Sequence, residues 1–318
     1  RGSINLLNLT NLMNFMNYKT LNSQVKNIPL PKIKNYHQKN TGMEKILNRA
    51  ADNIRVLSAS MVEKAKSGHP GGSLSVTDIL TYLYFQEMKT DPQNPAWQER
   101  DRLVLSKGHT APALYAVLAQ KGFFPVEELK TLRKIGSRLQ GHPDMKKIPG
   151  VDMSSGSLGQ GISAACGMAK AAKLTGGEWR VYTVLGDGEI QEGQVWEAAM
   201  FASHYQLDNL CVLVDNNGLQ IDGNIKDVMS PYPIDEKFKA FGFHVINIDG
   251  HDFDQIEAAL NEARSVKGQP TAIIAKTVKG KGVSFMENQA SWHGTAPNDE
   301  QYQQAMEELG QQLAALDC

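Results

Sequence analysis

Apolar residues recur at helical spacing over residues 44–66: Ile46, Ala50, Ile54, Leu57, Met61 and Ala65 share one face. The spacing predicts an amphipathic helix that stops at SGHPGGS, where proline and glycine interrupt the pattern. Two more helices are predicted over residues 75–88 and 110–121, the second directly after SKGH. A glycine-rich loop, SSGSLGQG at 154–161, then leads into an alanine-rich helix running to Lys173. Beyond it the period changes. VYTVLG (181–186), LCVLVD (210–215), HVINID (244–249) and TAIIAKT (271–277) are short, mainly apolar runs. Helical patterns at 192–205, near 235–241 and at 253–265 separate them, and a final helix is predicted over 299–316. Continuous apolar runs joined by helices predict a parallel sheet covered on both faces. Right-handed crossovers then give a three-layer α/β/α, doubly wound parallel sheet with ligands at the carboxyl ends of its strands. No internal repeat and no second domain is visible.

Composition narrows the partners. Lys plus Arg total 33 and Asp plus Glu 34 in 318 residues, so no charge excess points to nucleic acid or an acidic membrane surface. No stretch approaches the ~18 apolar residues of a membrane span. Cys166, Cys211 and Cys318 are far apart and lack metal-type spacing; Cys166 and Cys211 fall in apolar or small-residue runs. They are expected to be buried free thiols in a reducing, cytoplasmic setting. The first forty residues are rich in Asn and Lys and contain no Asp or Glu, and Met43 in TGMEKI looks like a natural start. Residues 1–42 are therefore expected to be a leader or appended extension, poorly ordered unless another subunit holds it, and residues 43–318 to be the folded domain.

The candidate chemistry lies where strands end. Asp187 directly follows VYTVLG, and Asn216 and Asn217 follow LCVLVD. In a parallel sheet both positions face one crevice. Asp187 and Asn217 are hard oxygen donors, suited to Mg²⁺ or Ca²⁺ rather than zinc. Glycines on both sides of Asp187 allow a sharp turn and close approach of a diphosphate. Taken singly, GDG also fits a type I′ turn and DNN a helix cap. Four of the eight histidines, His69, His109, His142 and His293, sit in Gly- or Pro-marked loops rather than on apolar helix faces.

Asp187 and Asn217 together, 30 positions apart, resemble the GDG…NN signature of thiamine-diphosphate enzymes. SGHPGG, LSKGHTAPALY, GHPD…PGVDMSSGSLGQGIS, LGDGEIQEGQVWEA, DNNGLQIDG and SWHGTAP resemble the N-terminal, diphosphate-binding portion of transketolase, in family order over residues 44–299. The resemblance implies a metal held by the Asp187 carboxylate, the Asn217 amide and the Leu219 backbone carbonyl. It places His69, His109 and His293 along the diphosphate and thiazolium of thiamine diphosphate, and His142 at a hydroxyl of the donor's two-carbon unit. Gly156, Ser157 and Leu158 would touch the cofactor, with Ile221 packed on the thiazolium ring. Gly186 and Gly188 would flank the diphosphate, Gly188 through its N–H.

Glu192 would join a carboxylate relay between two active sites, and a helix N-terminal acid favoured by the dipole is the plainer alternative. Imidazoles titrating near neutrality would exchange the sugar hydroxyl proton during reversible transfer of a two-carbon ketol unit from a ketose, or its phosphate, to an aldose. The family also needs a glutamate on a pyrimidine-binding domain, and a full transketolase is about twice this length. That implies a split enzyme, an α₂β₂ heterotetramer completed by a separate pyrimidine-domain subunit, with a truncated piece of a longer enzyme as the rival explanation. The family's usual setting is the pentose phosphate pathway. SGSLG in place of TGPLG and GHPGG in place of GHPGAP leave the sugars open. The α subunit of a 2-oxo acid dehydrogenase shares GDG…NN but does not explain the four histidines. A non-catalytic cofactor-binding subunit is the remaining alternative.

Overall fold

The computed structural model describes residues 41–316. The leader expected over residues 1–42 lies outside the described residues, apart from Thr41 and Gly42, which open the first helix. Five parallel strands form the sheet: β1 (Arg102–Leu105), β2 (Val181–Gly186), β3 (Leu210–Asn216), β6 (His244–Asp249) and β7 (Thr271–Lys276), in the order β1-β2-β3-β7-β6. A two-stranded hairpin, β4 (Leu219–Gln220) and β5 (Gly223–Asn224), stands just beyond β3.

Helices cover both faces, as the apolar runs predict. Successive strand residues point to opposite sides. Tyr182, Val184, Cys211, Leu213 and Ile273 pack with α1 (Thr41–Ala65), α3 (Thr77–Tyr82), α4 (Ala111–Lys121) and α9 (Phe253–Ser265). Val181, Leu185, Val212, Val214 and Ile274 pack instead with α5 (Gln160–Thr175), α6 (Gly193–His204) and α8 (Ile234–Ala240). A smaller cluster of Leu74, Val283, Met286, Trp292, Ala305 and Leu309 seats α10 (Asp299–Ala315). Cys166 and Cys211 are buried free thiols, as expected. No helix among the described residues is long and apolar enough to cross a membrane.

The first helix stops before SGHPGGS as predicted, ending at Ala65. The pattern does not predict helix within that stretch itself, yet α2 (Pro70–Ser75) forms there and is wholly buried, with proline in its first turn, where a missing N–H costs nothing. The single helix predicted over 75–88 is divided at Val76 into α2 and α3, and Leu83–Glu87 winds as a π-helix. A further short helix, α7 (Ile225–Met229), follows the hairpin, with Asn224 capping it.

Candidate active site

Register brings three strand ends level. Gly186 pairs with Asp215, Asp215 with Ala275 and Asn216 with Lys276, so the residues after β2, β3 and β7 open into one crevice. Asp187 lies at its floor, 2% exposed. Its Oδ1 accepts the Gly188 N–H at 2.9 Å and its Oδ2 the Gly218 N–H at 2.6 Å. The turn after β2 and the turn after β3 are thereby tied through one carboxylate. Burial, and then the Asp215 carboxylate nearby, push the Asp187 pKa up to about 7. The Gly188 N–H, expected to face a diphosphate, is thus engaged by Asp187 itself.

Asp215 has a different environment. It is fully buried and accepts the Lys107 ammonium, the Thr277 hydroxyl, the Ser75 hydroxyl at 2.7 Å and the Asn217 amide at 3.3 Å. Burial, the largest single influence, would raise its pKa, but the Lys107 charge together with the hydrogen bonds from Lys107, Ser75 and Thr277 holds the carboxyl below its ordinary value. Lys107 therefore neutralises Asp215 and leaves Asp187 without a cation of its own. Asn217 Oδ1 accepts the Leu219 N–H at 3.1 Å, and the Leu219 carbonyl accepts the Lys279 ammonium at 3.3 Å. Lys279 also meets His293 Nδ1 at 2.8 Å, and burial, then the charge of Lys107, bring its pKa down to about 8.

Above this floor three imidazoles meet. Ring centroids of His69 and His109 are 5.1 Å apart, of His69 and His293 5.4 Å, and of His109 and His293 5.2 Å. His69 precedes α2, His109 follows β1 and His293 follows β7, so no single element could assemble them. The expectation of imidazoles titrating near neutrality is corrected here. Burial, then the positive charge of Arg133, lowers His69 to about 4; burial, then Lys279, lowers His293 to about 3; burial, then Lys107, takes His109 well below its ordinary value. All three are neutral at pH 7. The Nδ1 of His69 is buried and lacks a hydrogen-bond partner.

The glycine-rich loop forms one wall. A methyl group at Gly108 would stand 2.6 Å from Ser155 Oγ and 2.9 Å from Gly156 N, so only glycine lets the His109 turn lie against this loop. A methyl group at Gly156 would be 3.2 Å from the His142 ring, which places the fourth histidine beside the loop. Burial, then Arg133, lowers its pKa. Ser157 is exposed and Leu158 half-buried. Ile221 is 65% exposed between the two hairpin strands, and Gly186 ends β2. Glu192 is exposed at the start of α6 and its side chain makes no capping hydrogen bond.

The pattern of the sequence does not mark Lys107, Lys279 and Glu189, although each lies inside or beside a quoted motif. Glu189 is 2% exposed and gathers three donors: the Ser106 hydroxyl, the Gly159 N–H at 2.9 Å and the Gly186 N–H at 3.0 Å. It joins the ends of β1 and β2 to the glycine-rich loop.

A parallel α/β domain with a buried acid and a histidine cluster at its strand ends has its ligand crevice where such sheets bind phosphorylated cofactors, and its class is that of thiamine-diphosphate-binding domains. The family model for the thiamine diphosphate binding domain of transketolase matches residues 46–315, and the chain belongs to the transketolase family. It is 48% identical over 263 residues to the 6-deoxy-6-sulfo-D-fructose transketolase subunit SqwG of Clostridium sp. strain MSTE9, covering 83% of this chain and 96% of that one. It is 42% identical over 257 residues to one of the subunits of the apulose-4-phosphate transketolase of Phocaeicola vulgatus, covering 81% of this chain and 91% of that one. The crystal structure of transketolase from Campylobacter jejuni superposes with a TM-score of 0.79 at 36% identity, covering 86% of this chain but 43% of that one. The chain is thus a thiamine-diphosphate-dependent transketolase in kind, and the 2-oxo acid dehydrogenase alternative is not favoured.

Proposed function

We propose that this chain is the diphosphate-binding subunit of a two-chain transketolase, moving a two-carbon ketol unit reversibly from a ketose to an aldose. The observation that carries the reading is the convergence of His69, His109 and His293 over Lys279 and the oxygen-lined floor at Asp187. The residues fit the groups they would hold. Asp187 is a buried carboxylate lacking its own cation, the Leu219 carbonyl already attracts an ammonium, and the buried Nδ1 of His69 is unpartnered. Among the described residues no three His, Cys, Asp or Glu side chains cluster as a metal site. The donor set is instead the Asp187 carboxylate, the Asn217 amide and the Leu219 carbonyl, which suits Mg²⁺ or Ca²⁺.

Thiamine diphosphate, when bound, supplies the electron sink for breaking and making the carbon–carbon bond. The chain's own residues position and neutralise. Lys279 and the metal ligands meet the diphosphate charge, Gly188 keeps the backbone low, and Gly156, Ser157 and Leu158 wall the crevice. Ile221 offers a bare apolar surface to the thiazolium. His69 and His109 are neutral and can each accept a hydrogen bond from a sugar hydroxyl, whereas the acceptor nitrogen of neutral His293, Nδ1, already meets the Lys279 ammonium and leaves Nε2–H to donate. His142, beside Gly156, would reach the donor's two-carbon unit.

The relatives' names support the split arrangement, and a partner would supply the pyrimidine-binding domain with its glutamate. Glu192 is exposed, and it would face such a partner and enter a relay between sites in an α₂β₂ assembly. Buried thiols at Cys166 and Cys211, both pushed up to about 12 by burial, suit a reducing cytoplasm. Two of the relatives are named for 6-deoxy-6-sulfo-D-fructose and apulose-4-phosphate, so a ketose with an anionic terminal group is the proposed donor, inside or outside the pentose phosphate pathway. Calorimetric titration with thiamine diphosphate tests the site. Binding should require Mg²⁺ or Ca²⁺ and be lost in Asp187→Ala; equal binding in a chelator, or by that variant, would sink the assignment.

A further inference from the structure

A chain of buried polar contacts runs from α1 to the segment that carries Lys279. Arg55 donates to Asp52 at 3.0 Å and to Asp78 on α3. Asp78 faces His251, in the turn between β6 and α9, whose Nδ1 lies 2.6 Å from Asp78 Oδ2. The other ring nitrogen, Nε2, accepts the backbone N–H of Val278 at 2.8 Å. Burial alone would raise the Asp78 pKa, but Arg55 and the His251 hydrogen bond hold the carboxyl below its ordinary value. Asp78 is therefore an acceptor, so Nδ1 must donate to it, while Nε2 must be bare to receive an N–H. The two contacts specify one neutral tautomer, with the proton on Nδ1. A doubly protonated ring would set Nε2–H against the Val278 N–H.

Val278 immediately precedes Lys279. At the lysine and just beyond it the main chain is held by main chain: Asn288 N–H donates to the Lys279 carbonyl at 2.9 Å and Gly280 N–H to the Gly71 carbonyl at 2.9 Å. On the near side the Val278 N–H is held by a side chain. We infer that His251 is a positioning residue for cofactor binding: braced by Asp78 and Arg55, it fixes the Val278 backbone and so sets where Lys279 delivers its ammonium. The site ammonium thereby depends on residues of α1 and α3 that touch neither ligand nor metal. The inference rests on the diphosphate reading of the site given above.

The test uses the full chain with two variants that split the roles of the ring nitrogens. Glutamine can place a carbonyl oxygen near the Nε2 position, whereas asparagine places its polar group near Nδ1 and cannot reach Val278. Hydrogen exchange of the 277–280 segment in the ligand-free chain is the first readout, and the dissociation constant for thiamine diphosphate with Mg²⁺ is the second. In His251→Asn, exchange at Val278 should quicken about tenfold and binding weaken by about the same factor, the worth of one hydrogen bond. His251→Gln should stay within about threefold of the parent in both, with melting temperatures of the two variants alike. If asparagine does not fold, His251→Leu takes its place.

Unchanged exchange in the asparagine or leucine variant, or glutamine as impaired as asparagine, overturns the inference. Faster exchange with undiminished cofactor affinity overturns it as well. A parent chain that binds no thiamine diphosphate while Val278 exchange follows His251 as described would overturn the functional reading, and with it the positioning role. The hydrogen-bond arm would still have been read separately.

Discussion

Replacing Glu189 with alanine removes an acceptor that three donors share. The Ser106 hydroxyl and the Gly159 and Gly186 N–H groups would each face a cavity in a place that is 2% exposed in the parent. A buried donor left unmade costs about 1–3 kcal/mol, so three set a gross loss of roughly 3–9 kcal/mol. Against that, burial lifts the Glu189 pKa despite the three hydrogen bonds, so its charge is itself held at a cost that alanine removes. The net loss should be about 2–4 kcal/mol. Glu189→Gln sheds the charge and keeps one acceptor oxygen for Ser106 and Gly159 but sets its NH₂ toward the Gly186 N–H, and should lose about 1–2 kcal/mol. Urea unfolding followed by tryptophan fluorescence reads the difference as a shift in midpoint at constant slope. Because Glu189 ties β1 and β2 to the glycine-rich loop, thiamine diphosphate affinity should fall in the same order. An alanine variant within about 0.5 kcal/mol of the parent, or a glutamine variant less stable than alanine, would refute the reasoning.

Further outcomes follow from the same geometry. Lys107→Met strands the fully buried Asp215 carboxylate and should cost about 3–5 kcal/mol in urea unfolding. Asp187, with a pKa raised to about 7, must release its proton to take a cation, so apparent Mg²⁺ affinity should fall about tenfold for each pH unit below about 7. The folded state holds that proton more tightly than the unfolded chain. Its contribution to metal-free stability is therefore full below the ordinary value of 3.8 and is lost as pH rises through about 7, which thermal melts across that window check. Gly159 has φ +82°, and a methyl group there would stand 2.8 Å from Glu192 Cβ. Gly159→Ala should cost about 1–2 kcal/mol for the left-handed backbone alone and weaken cofactor binding, read by calorimetry.

The layers were legible because buried parallel strands leave continuous apolar runs. The predicted runs at 181–186 and 244–249 coincide with β2 and β6, and those at 210–215 and 271–277 differ from β3 and β7 by one residue. β1 escaped notice because RLVL, at a sheet edge, is four residues long. The meeting of the Asp187 turn with the Asn217 turn could be read because neighbouring strands of a parallel sheet end side by side. The roles of Lys107 and Glu189 could not, since each depends on a partner remote in sequence, 108 and 83 positions away. The histidines could be named, but their charge state could not. Burial beside Lys107, Lys279 and Arg133 is a tertiary property that leaves no local pattern.

The central claim is that this chain holds the cofactor's diphosphate while another polypeptide completes the site. Mixing it with a pyrimidine-domain transketolase subunit, thiamine diphosphate and Mg²⁺, and following consumption of a ketose phosphate or sulfonate with an aldose acceptor, tests that claim most directly. Two-carbon transfer should appear with both chains and be absent with either alone. Mg²⁺-dependent turnover by this chain by itself, or a complex that decarboxylates pyruvate and leaves every ketose untouched, would contradict it.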